Sequence, residues 1–283
     1  MPLRSARTPL FRVLAVLACA GGALAFAGCG GGGGGGGGGA EKAPPSGSRS
    51  VDAEQKVLQA LVDVPAGEFY AGSDEYADKD ERRRKYKLEA FKIDKYETTN
   101  AMYKRFLDSR TDPDEKRRRT PRPDATGQGG WSADGWYPFG AADLPVTNIS
   151  YSDMDAYAKW DGKQLPNRVQ WEKAARGTDE RQWPWGNEWD GSKANVSPDV
   201  RTAKKKPVGS FPAGASPYGC LDMCGNVAER TSTAFDPKHV KEGGRLVCGG
   251  SFLELDAADT KTHRRITATD DEVSILIGFR CVQ

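Results

Sequence analysis

Histidine is scarce in this 283-residue sequence, which contains only His239 and His263. Two separated histidines make no His-based metal cluster, and no Ser-His-Asp arrangement is visible along the chain. Net charge is also nearly absent, because 41 Lys and Arg residues oppose 39 Asp and Glu residues. The sequence therefore offers no global electrostatic attraction for nucleic acid, and we expect none as a partner.

An apolar run long enough to span a bilayer is missing at the N-terminus. The run Val13–Ala27 has only 15 residues, whereas a membrane-spanning helix needs about 20. Three arginines precede it, and this layout is typical of a secretory signal. The run ends at Phe26-Ala27-Gly28-Cys29, which resembles the lipobox of bacterial lipoproteins. The resemblance implies a signal peptide over residues 1–28 and a lipid on Cys29; the alternative is a simple cleaved signal with an incidental Cys29.

Residues 29–50 lack the apolar side chains that a folded segment needs. Gly30–Gly39 is an unbroken glycine tract, and Ala40–Ser50 adds Pro, Ser and Lys. Glycine has the largest backbone entropy to lose, so this composition predicts a flexible tether. About 20 such residues would hold a domain roughly 25 Å from a lipid anchor. We therefore expect an exported protein that is anchored to a membrane of the bacterial cell envelope.

Residues 51–283 have the pattern of one α+β domain with short strands, tight turns and few helices. Val51–Leu61 has scattered helical character and predicts a short lead-in helix. Val64–Phe69 and Phe91–Tyr96 alternate apolar and polar residues, which indicates half-buried strands. No internal repeat and no second composition boundary are visible, so we expect a single domain.

Three helices are predicted inside this domain. The first covers Thr98–Leu107, and the second covers Ser152–Trp160 with its serine as N-cap. The third begins after Asn167, which has a glutamine three residues on in capping-box position, and ends at Gly177. Arg110–Asp143 is rich in Pro, Gly and charge, and we interpret it as a long surface loop carrying two tryptophans.

Seven sequence blocks, in this order, resemble the formylglycine-generating enzyme (sulfatase-modifying factor) family. The resemblance covers nearly all of residues 62–283 and implies a variant of the C-type lectin fold. It fixes the fold better than the activity, because one fold hosts many functions. The blocks are Val64–Ser73, Phe91–Leu107, Leu144–Gly177, Trp183–Asn187, Tyr218–Arg230, Cys248–Phe252 and Ile277–Arg280.

The residues that the resemblance assigns to catalysis are altered. Family members that oxidise a substrate cysteine to formylglycine hold Cu(I) with two cysteines after the Gly-Gly-Ser strand, and thiolates are the soft ligands that suit this ion. Those positions become Glu254 and Asp259, while Ser251 is kept. No cysteine occurs from Gly249 to Arg280. We therefore expect a degenerate site and no copper.

Carboxylates at Glu254, Asp256 and Asp259 suit Ca²⁺, Mg²⁺ or Mn²⁺. A solvated acidic loop is the more common explanation of such a pattern.

A structural calcium site is implied elsewhere by the resemblance. The loop Asp222–Glu229 matches the family's calcium loop. Carried over, Asp222 and Glu229 provide carboxylate oxygens, while Gly225 and Val227 provide backbone carbonyls. Oxygen-only ligation suits a hard cation. A second family site, at Asn195 and Val196, is expected to be lost because the segment after it is shortened.

Four cysteines remain in the predicted domain, and an exported protein folds in an oxidising compartment. Cys220, Cys224, Cys248 and Cys281 could form up to two disulfides, with three possible pairings. The family position that resembles Cys281 pairs with a site occupied here by Ala158, so we expect Cys248 to be its partner.

Two functions follow from these observations. The first is a non-catalytic binding or scaffold lipoprotein, with a protein, peptide or glycan of the cell envelope as partner. The alternative is an oxidoreductase-type enzyme that acts through a divergent site near Ser251–Asp259. The missing thiols, the lipid signal and the tether favour the first.

Overall fold

The computed structural model describes residues 59–75, 82–123, 130–235 and 244–283. The predicted signal peptide, Cys29 and the glycine tether lie outside these ranges. Lys56–Gln283 form a compact unit of their own. Within the described ranges, the helices are too short or too polar to cross a lipid bilayer.

Two antiparallel strand pairs form the N-terminal part of the domain. Strand β1 (Leu61–Val64) pairs with β4 (Phe91–Asp94), and β2 (Gly67–Ala71) pairs with β3 (Arg84–Leu88). The strand predicted at Val64–Phe69 is thus two strands, because Pro65 and Ala66 separate β1 from β2. The predicted lead-in helix lies mostly outside the described residues, and its last residue begins β1.

Four helices follow: α1 (Asn100–Asp108), α2 (Pro113–Arg119), α3 (Tyr151–Trp160) and α4 (Arg168–Arg176). The capping box of α4 is as predicted, because the Asn167 side chain accepts from the Gln170 amide and the Gln170 side chain accepts from Asn167. The N-cap predicted for α3 was wrong by two residues. Ser150 takes this role in a reciprocal capping box with Asp153.

The predicted loop Arg110–Asp143 contains α2, which sequence analysis missed. Asp112 caps this helix, Pro113 occupies its first turn, and four basic residues fill its last turn. These are all favourable helix-end features. Trp131 is buried, whereas Trp136 is exposed.

The C-terminal half contributes a four-stranded sheet in the order β7-β6-β5-β8. Its strands are β5 (Ala228–Ala234), β6 (Arg245–Cys248), β7 (Arg265–Ala268) and β8 (Ile277–Gly278). Strands β5 and β8 run parallel, and the other neighbours run antiparallel. The mixture of short sheets and few helices confirms the predicted α+β class.

Aromatic rings pack α1 against α3. Tyr103 stacks on Tyr157 with ring centroids 5.8 Å apart, and Tyr157 meets Phe279 edge-on at 5.4 Å. All three side chains are fully buried. Aromatic pairs at these distances stabilise a core beyond their buried area, so these helices are held against the C-terminal segment after β8.

A buried ion pair connects strands β4 and β5 with the segment after β8. Arg280 Nε and Nη2 donate to the two carboxylate oxygens of Glu229, each at 2.7 Å. The other Arg280 donors reach the backbone carbonyls of Asp94, Lys95 and Leu221 at 2.8–3.1 Å. All five guanidinium N–H groups are therefore used. Burial opposes the charge of Arg280, but Glu229 outweighs burial and raises the pKa of the guanidinium.

The Arg280→Met variant should lose about 3–5 kcal/mol of unfolding free energy, because it leaves Glu229 as a buried charge without its cation. Denaturant unfolding of both proteins measures the difference. The matched control is Lys159→Met, which removes an exposed pair with Asp155 and should leave the midpoint unchanged. If Arg280→Met and Lys159→Met lost the same unfolding free energy, a stabilising role of the Glu229–Arg280 pair would be contradicted.

Candidate functional site

The degenerate catalytic positions lie in the loop after β6. The backbone turns sharply at Gly250, which has a φ of +68° and a missing Cβ that would lie 2.8 Å from Thr260 Cγ2. Ser251 is fully buried behind this turn. Its amide and hydroxyl donate to Glu254 Oε1 at 3.0 and 3.1 Å. Ser251 and Glu254 therefore provide each other's hydrogen-bond partners inside the protein.

Glu254 has the electrostatics of a buried acid. Burial raises the pKa of its carboxyl to about 7, the Ser251 hydrogen bonds oppose this shift, and Asp259 reinforces it. Asp259 itself pairs with Arg264 at 3.2 Å. Ser251 thus contacts Glu254 directly, and Asp259 is near enough to act on the Glu254 charge.

The acidic residues of this loop are engaged by the protein. Asp256 accepts from the Ala258 amide at 2.8 Å and caps a short 3₁₀ turn at Ala257–Thr260. In the described part of the chain, no three Asp, Glu, His or Cys side chains converge to hold a metal ion by themselves. These contacts explain the acidic pattern through local structure.

An open cleft of about 710 Å³ is lined in part by His263, four residues after Asp259. The residues lining it are polar or charged, apart from one glycine, and they come from four segments: Gly72, Ser73, Asp74, Glu75, Arg83, Arg176, Glu180, Gln182, Asn187 and His263. The Thr262 amide donates to Gln182 O at 2.8 Å. This bond fixes the segment that carries both Asp259 and His263.

Charged side chains in the cleft are held in pairs. Arg83 donates to both oxygens of Glu180, at 2.6 and 2.8 Å, and stacks on the Tyr70 ring at 3.5 Å. Lys261 contacts Glu75 at 3.1 Å. The cleft therefore presents a preorganised polar surface of both signs, which suits hydrogen-bonding ligands such as peptides or glycans.

His263 is the histidine that lines the cleft, and it is buried. Burial, followed by the nearby Arg176, lowers the pKa of its imidazole to about 4, although Glu75 opposes the shift. The ring is thus neutral at physiological pH. Sequence analysis noted His263 as a lone histidine but did not place it with Glu75, since 188 residues separate them in the chain.

The predicted calcium loop lies next to the buried ion pair. Asp222 has a φ of +58°, and its Oδ2 accepts from the Gly209 amide at 2.6 Å. Glu229 Oε2 accepts from both Arg280 and Trp171, whereas Oε1 accepts from Arg280. A carboxylate oxygen has two lone pairs. Glu229 Oε1 and Asp222 Oδ1 therefore keep acceptor capacity for a cation.

A third acid, Glu97, belongs to the same buried region and was missed by sequence analysis. Its side chain accepts from Asn226 Nδ2 at 3.1 Å and from the Val227 amide at 3.2 Å. Burial, then Asp222 and Glu229, raises its pKa well above the usual range. Burial also raises the pKa of Asp222 to about 6. Three acids thus share one buried cation, Arg280.

The prediction of disulfides was wrong, because all four cysteines in the described residues are free and buried. Cys248 ends β6, whereas Cys281 lies past β8, where its amide donates to Asp94 Oδ2. Strand β5 separates β6 from β8. Two strand spacings of about 4.8 Å exceed the 7 Å limit for bridged Cα atoms. Cys220 and Cys224 pack into different apolar clusters.

Burial also suppresses thiolate chemistry at these four cysteines. It raises the pKa of Cys224 and of Cys248 to about 12, and it raises the pKa of the other two thiols as well. Metal binding and nucleophilic attack require the thiolate. These cysteines therefore act as small core residues.

Comparison with known proteins identifies the family. The sulfatase-modifying factor enzyme 1-like domain matches residues 48–283, and the chain belongs to this family. It is 33% identical over 153 residues to an inactive Cα-formylglycine-generating enzyme 2 from Mus musculus, covering 49% of each chain. It is 28% identical over 302 residues to the formylglycine-generating enzyme of Mycobacterium tuberculosis, covering 80% of this chain and 98% of that protein.

A further relative has another named activity. The hercynine oxygenase of Mycolicibacterium smegmatis is 32% identical over 204 residues, which cover 64% of this chain and 47% of that protein. The chain thus spans about half the length of this relative and of the mouse protein. The family therefore contains active and inactive members.

Solved structures agree on the fold. The structure of PvdO from Pseudomonas aeruginosa superposes with a TM-score of 0.62 at 21% identity, covering 78% of this chain and 93% of that one. CarF gives a TM-score of 0.57 at 20% identity, covering 79% and 97%. These similarities confirm the predicted formylglycine-generating-enzyme-like variant of the C-type lectin fold.

The Glu254→Gln variant should be more stable than the unmodified protein above pH 7, by about 1–3 kcal/mol. The folded pKa of about 7 lies above the ordinary value of 4.5, so the unfolded state binds fewer protons between these values. The carboxyl therefore lowers stability as pH rises through this window. Denaturant unfolding at pH 4 and pH 8 measures this. If the variant and the unmodified protein differed by the same unfolding free energy at pH 4 and pH 8, the raised pKa of Glu254 would be contradicted.

Proposed function

We propose that this protein is a membrane-anchored, non-catalytic binding lipoprotein whose domain displays the polar cleft to a protein, peptide or glycan of the cell envelope. One feature carries the proposal: the resemblance places Glu254 and Asp259 where active family members hold copper with two thiols, and no cysteine occurs from Gly249 to Arg280. A hard carboxylate does not substitute for a soft thiolate toward Cu(I). The similarity to inactive members of the family supports the same view.

The surroundings of Ser251 argue against the oxidoreductase alternative. Its hydroxyl is buried and committed to Glu254 and to the Leu253 carbonyl at 3.3 Å. Glu254 carries a proton in the folded protein up to about pH 7, which leaves no strong base beside the serine at lower pH. The cleft that His263 lines is open, and its charged side chains are held in pairs, and these properties favour binding.

Lipid attachment at Cys29 is part of the same proposal. The charged leader, the apolar run and the lipobox-like sequence support export, and the glycine tract supports a flexible link to the domain. Two or more acyl chains make membrane attachment stable, because each buried CH₂ contributes about 0.8 kcal/mol. The domain would then sample the envelope close to its membrane.

Copper titration tests the non-catalytic assignment. The mature protein should take up no stoichiometric Cu(I) in competition with a chromophoric chelator, because its buried thiols are protonated and its degenerate site has only carboxylates. The matched variant Glu254→Cys with Asp259→Cys restores the two thiols, and we expect it to gain one Cu(I) per chain. Tight uptake by the unmodified protein, lost in Glu254→Ala or Asp259→Ala, would overturn the proposal.

Calcium is proposed as a structural cofactor at the loop Asp222–Glu229. Glu97, Asp222 and Glu229 are buried beside a single cation, and two further positive charges would neutralise them. Oxygen ligands at a tight turn suit Ca²⁺. Asp222 and Glu229 would contribute carboxylate oxygens, and Gly225 and Val227 would contribute carbonyls. Bound calcium would supply charge compensation and hold this loop against β8.

Thermal unfolding with and without calcium tests this site. At a calcium concentration 100-fold above Kd, the folded state should gain about 2.7 kcal/mol. Asp222→Asn removes one carboxylate and should greatly reduce the gain, whereas the half-buried control Asp155→Asn, on helix α3, should retain it. No stabilisation of the unmodified protein by calcium, or an equal gain in Asp222→Asn, would contradict the site.

A further inference from the structure

The loop of residues 130–143 holds two aromatic side chains out in solvent. Phe139 has a relative exposure of 108%, and Trp136 has 61%. Large apolar side chains exposed together on one loop commonly mark a contact surface. This loop lies between the family's sequence blocks, so the features that define the fold do not account for it.

The exposure is built into the structure because both ends of the loop are anchored on α1. Trp131 is buried and its indole donates to Asn100 Oδ1 at 3.0 Å, while Asn100 Nδ2 donates to the Ala141 carbonyl at 2.8 Å. Lys104 Nζ lies 4.0 Å from the centroid of the Trp136 ring. The tip between these anchors therefore projects outward as a defined structure.

Basic segments flank the aromatic tip on two sides. On one side, a Cβ at Gly135 would lie 3.5 Å from Thr120 Oγ1, at the basic end of α2. On the other side, a groove of about 710 Å³ is lined by Phe139, its neighbours and Arg201–Lys205. The Val208 amide donates to the Asp143 carbonyl at 2.9 Å, which ties the second segment to the loop.

The charge of this region is clearly positive. Residues 110–122 have six basic and three acidic side chains. Residues 199–206 have four basic side chains and one acidic side chain, and the loop of residues 130–143 adds two acidic side chains. Asp108 and Asp153 pair with Lys116 and Arg119, and Lys104 contacts Trp136. With these three residues, eleven basic side chains oppose eight acids, an excess of three, whereas the whole chain has a formal net charge of +2. Arg118 and Lys204 are both exposed and are available to an external anion.

We propose that the aromatic loop and its two basic flanks form a docking surface for an anionic phospholipid membrane. Trp and Phe side chains partition into the interfacial region, and basic side chains near the surface are attracted to acidic headgroups. The groove between Phe139 and Arg201–Lys205 combines apolar and cationic walls, as a headgroup with its first acyl carbons requires.

This inference rests on the proposed lipid anchor, because a tether makes a weak docking contact effective through high local concentration.

Vesicle sedimentation tests the surface without the lipid anchor. The mature chain beginning at Gly30 is suitable, since Lys56–Gln283 form their own compact unit. It should sediment with vesicles of phosphatidylcholine and phosphatidylglycerol in a 3:1 ratio, and at least about tenfold less with phosphatidylcholine alone. Binding should fall steeply with added salt, because exposed charges are screened.

Variants assign the binding to the loop. Trp136→Ser with Phe139→Ser should weaken binding to the acidic vesicles by at least about tenfold, as should Arg201→Glu with Lys204→Glu. The matched control is Leu255→Ser, which removes an apolar side chain of the same 61% exposure near the degenerate site and should bind like the unmodified chain.

Two outcomes overturn the inference: no binding to acidic vesicles, or equal binding by the serine variant. Self-association in analytical ultracentrifugation that depends on Phe139, without vesicle binding, would assign the surface to a second copy and also reject the membrane. Lipidation is scored separately, from the mass of the full chain against Cys29→Ser. Failure of the anchor and failure of the docking surface are therefore distinguishable.

Discussion

The Glu229–Arg280 ion pair is the constraint on which the rest of the domain depends. Its guanidinium reaches β5 through Glu229, the end of β4 through Asp94 and the segment before the calcium loop through Leu221. Trp171 of α4 donates to the same carboxylate at 2.8 Å. These contacts join elements that are far apart in the chain. A domain of short strands and long connections needs such a centre, because its secondary structure alone provides little cooperative packing.

The same ion pair shapes the chemistry around it. It leaves Glu97 and Asp222 as buried acids without a cation of their own, which is the physical reason for proposing calcium beside them. The degenerate site is independent of this centre. There, the amide and hydroxyl of Ser251 donate to the Glu254 carboxylate. The proposed replacement of catalytic thiols by Glu254 and Asp259 would leave the fold intact, in a family whose named members include active and inactive proteins.

Local sequence patterns predicted local structure well, but they did not predict contacts between residues that are far apart in the chain. The capping box at Asn167 was found because its residues are three apart, and the family blocks indicated the fold. The N-cap of α3 was predicted at Ser152 although it is Ser150. Both positions carry the same side chain, and the local pattern does not distinguish them. The Cys248–Cys281 pairing failed because the order of the strands places β5 between them. Glu97 and the Glu75–His263 contact have no local signal, since their partners lie more than 120 residues away in the chain.

The proposal that this chain is non-catalytic is tested most directly by the mass of a peptide. The mature protein, supplied with copper and oxygen, would be incubated with a peptide containing Cys-x-Pro-x-Arg, and the peptide mass would be followed over time. The cysteine of the peptide should stay unmodified. Conversion of the cysteine to formylglycine by this chain would contradict the proposal.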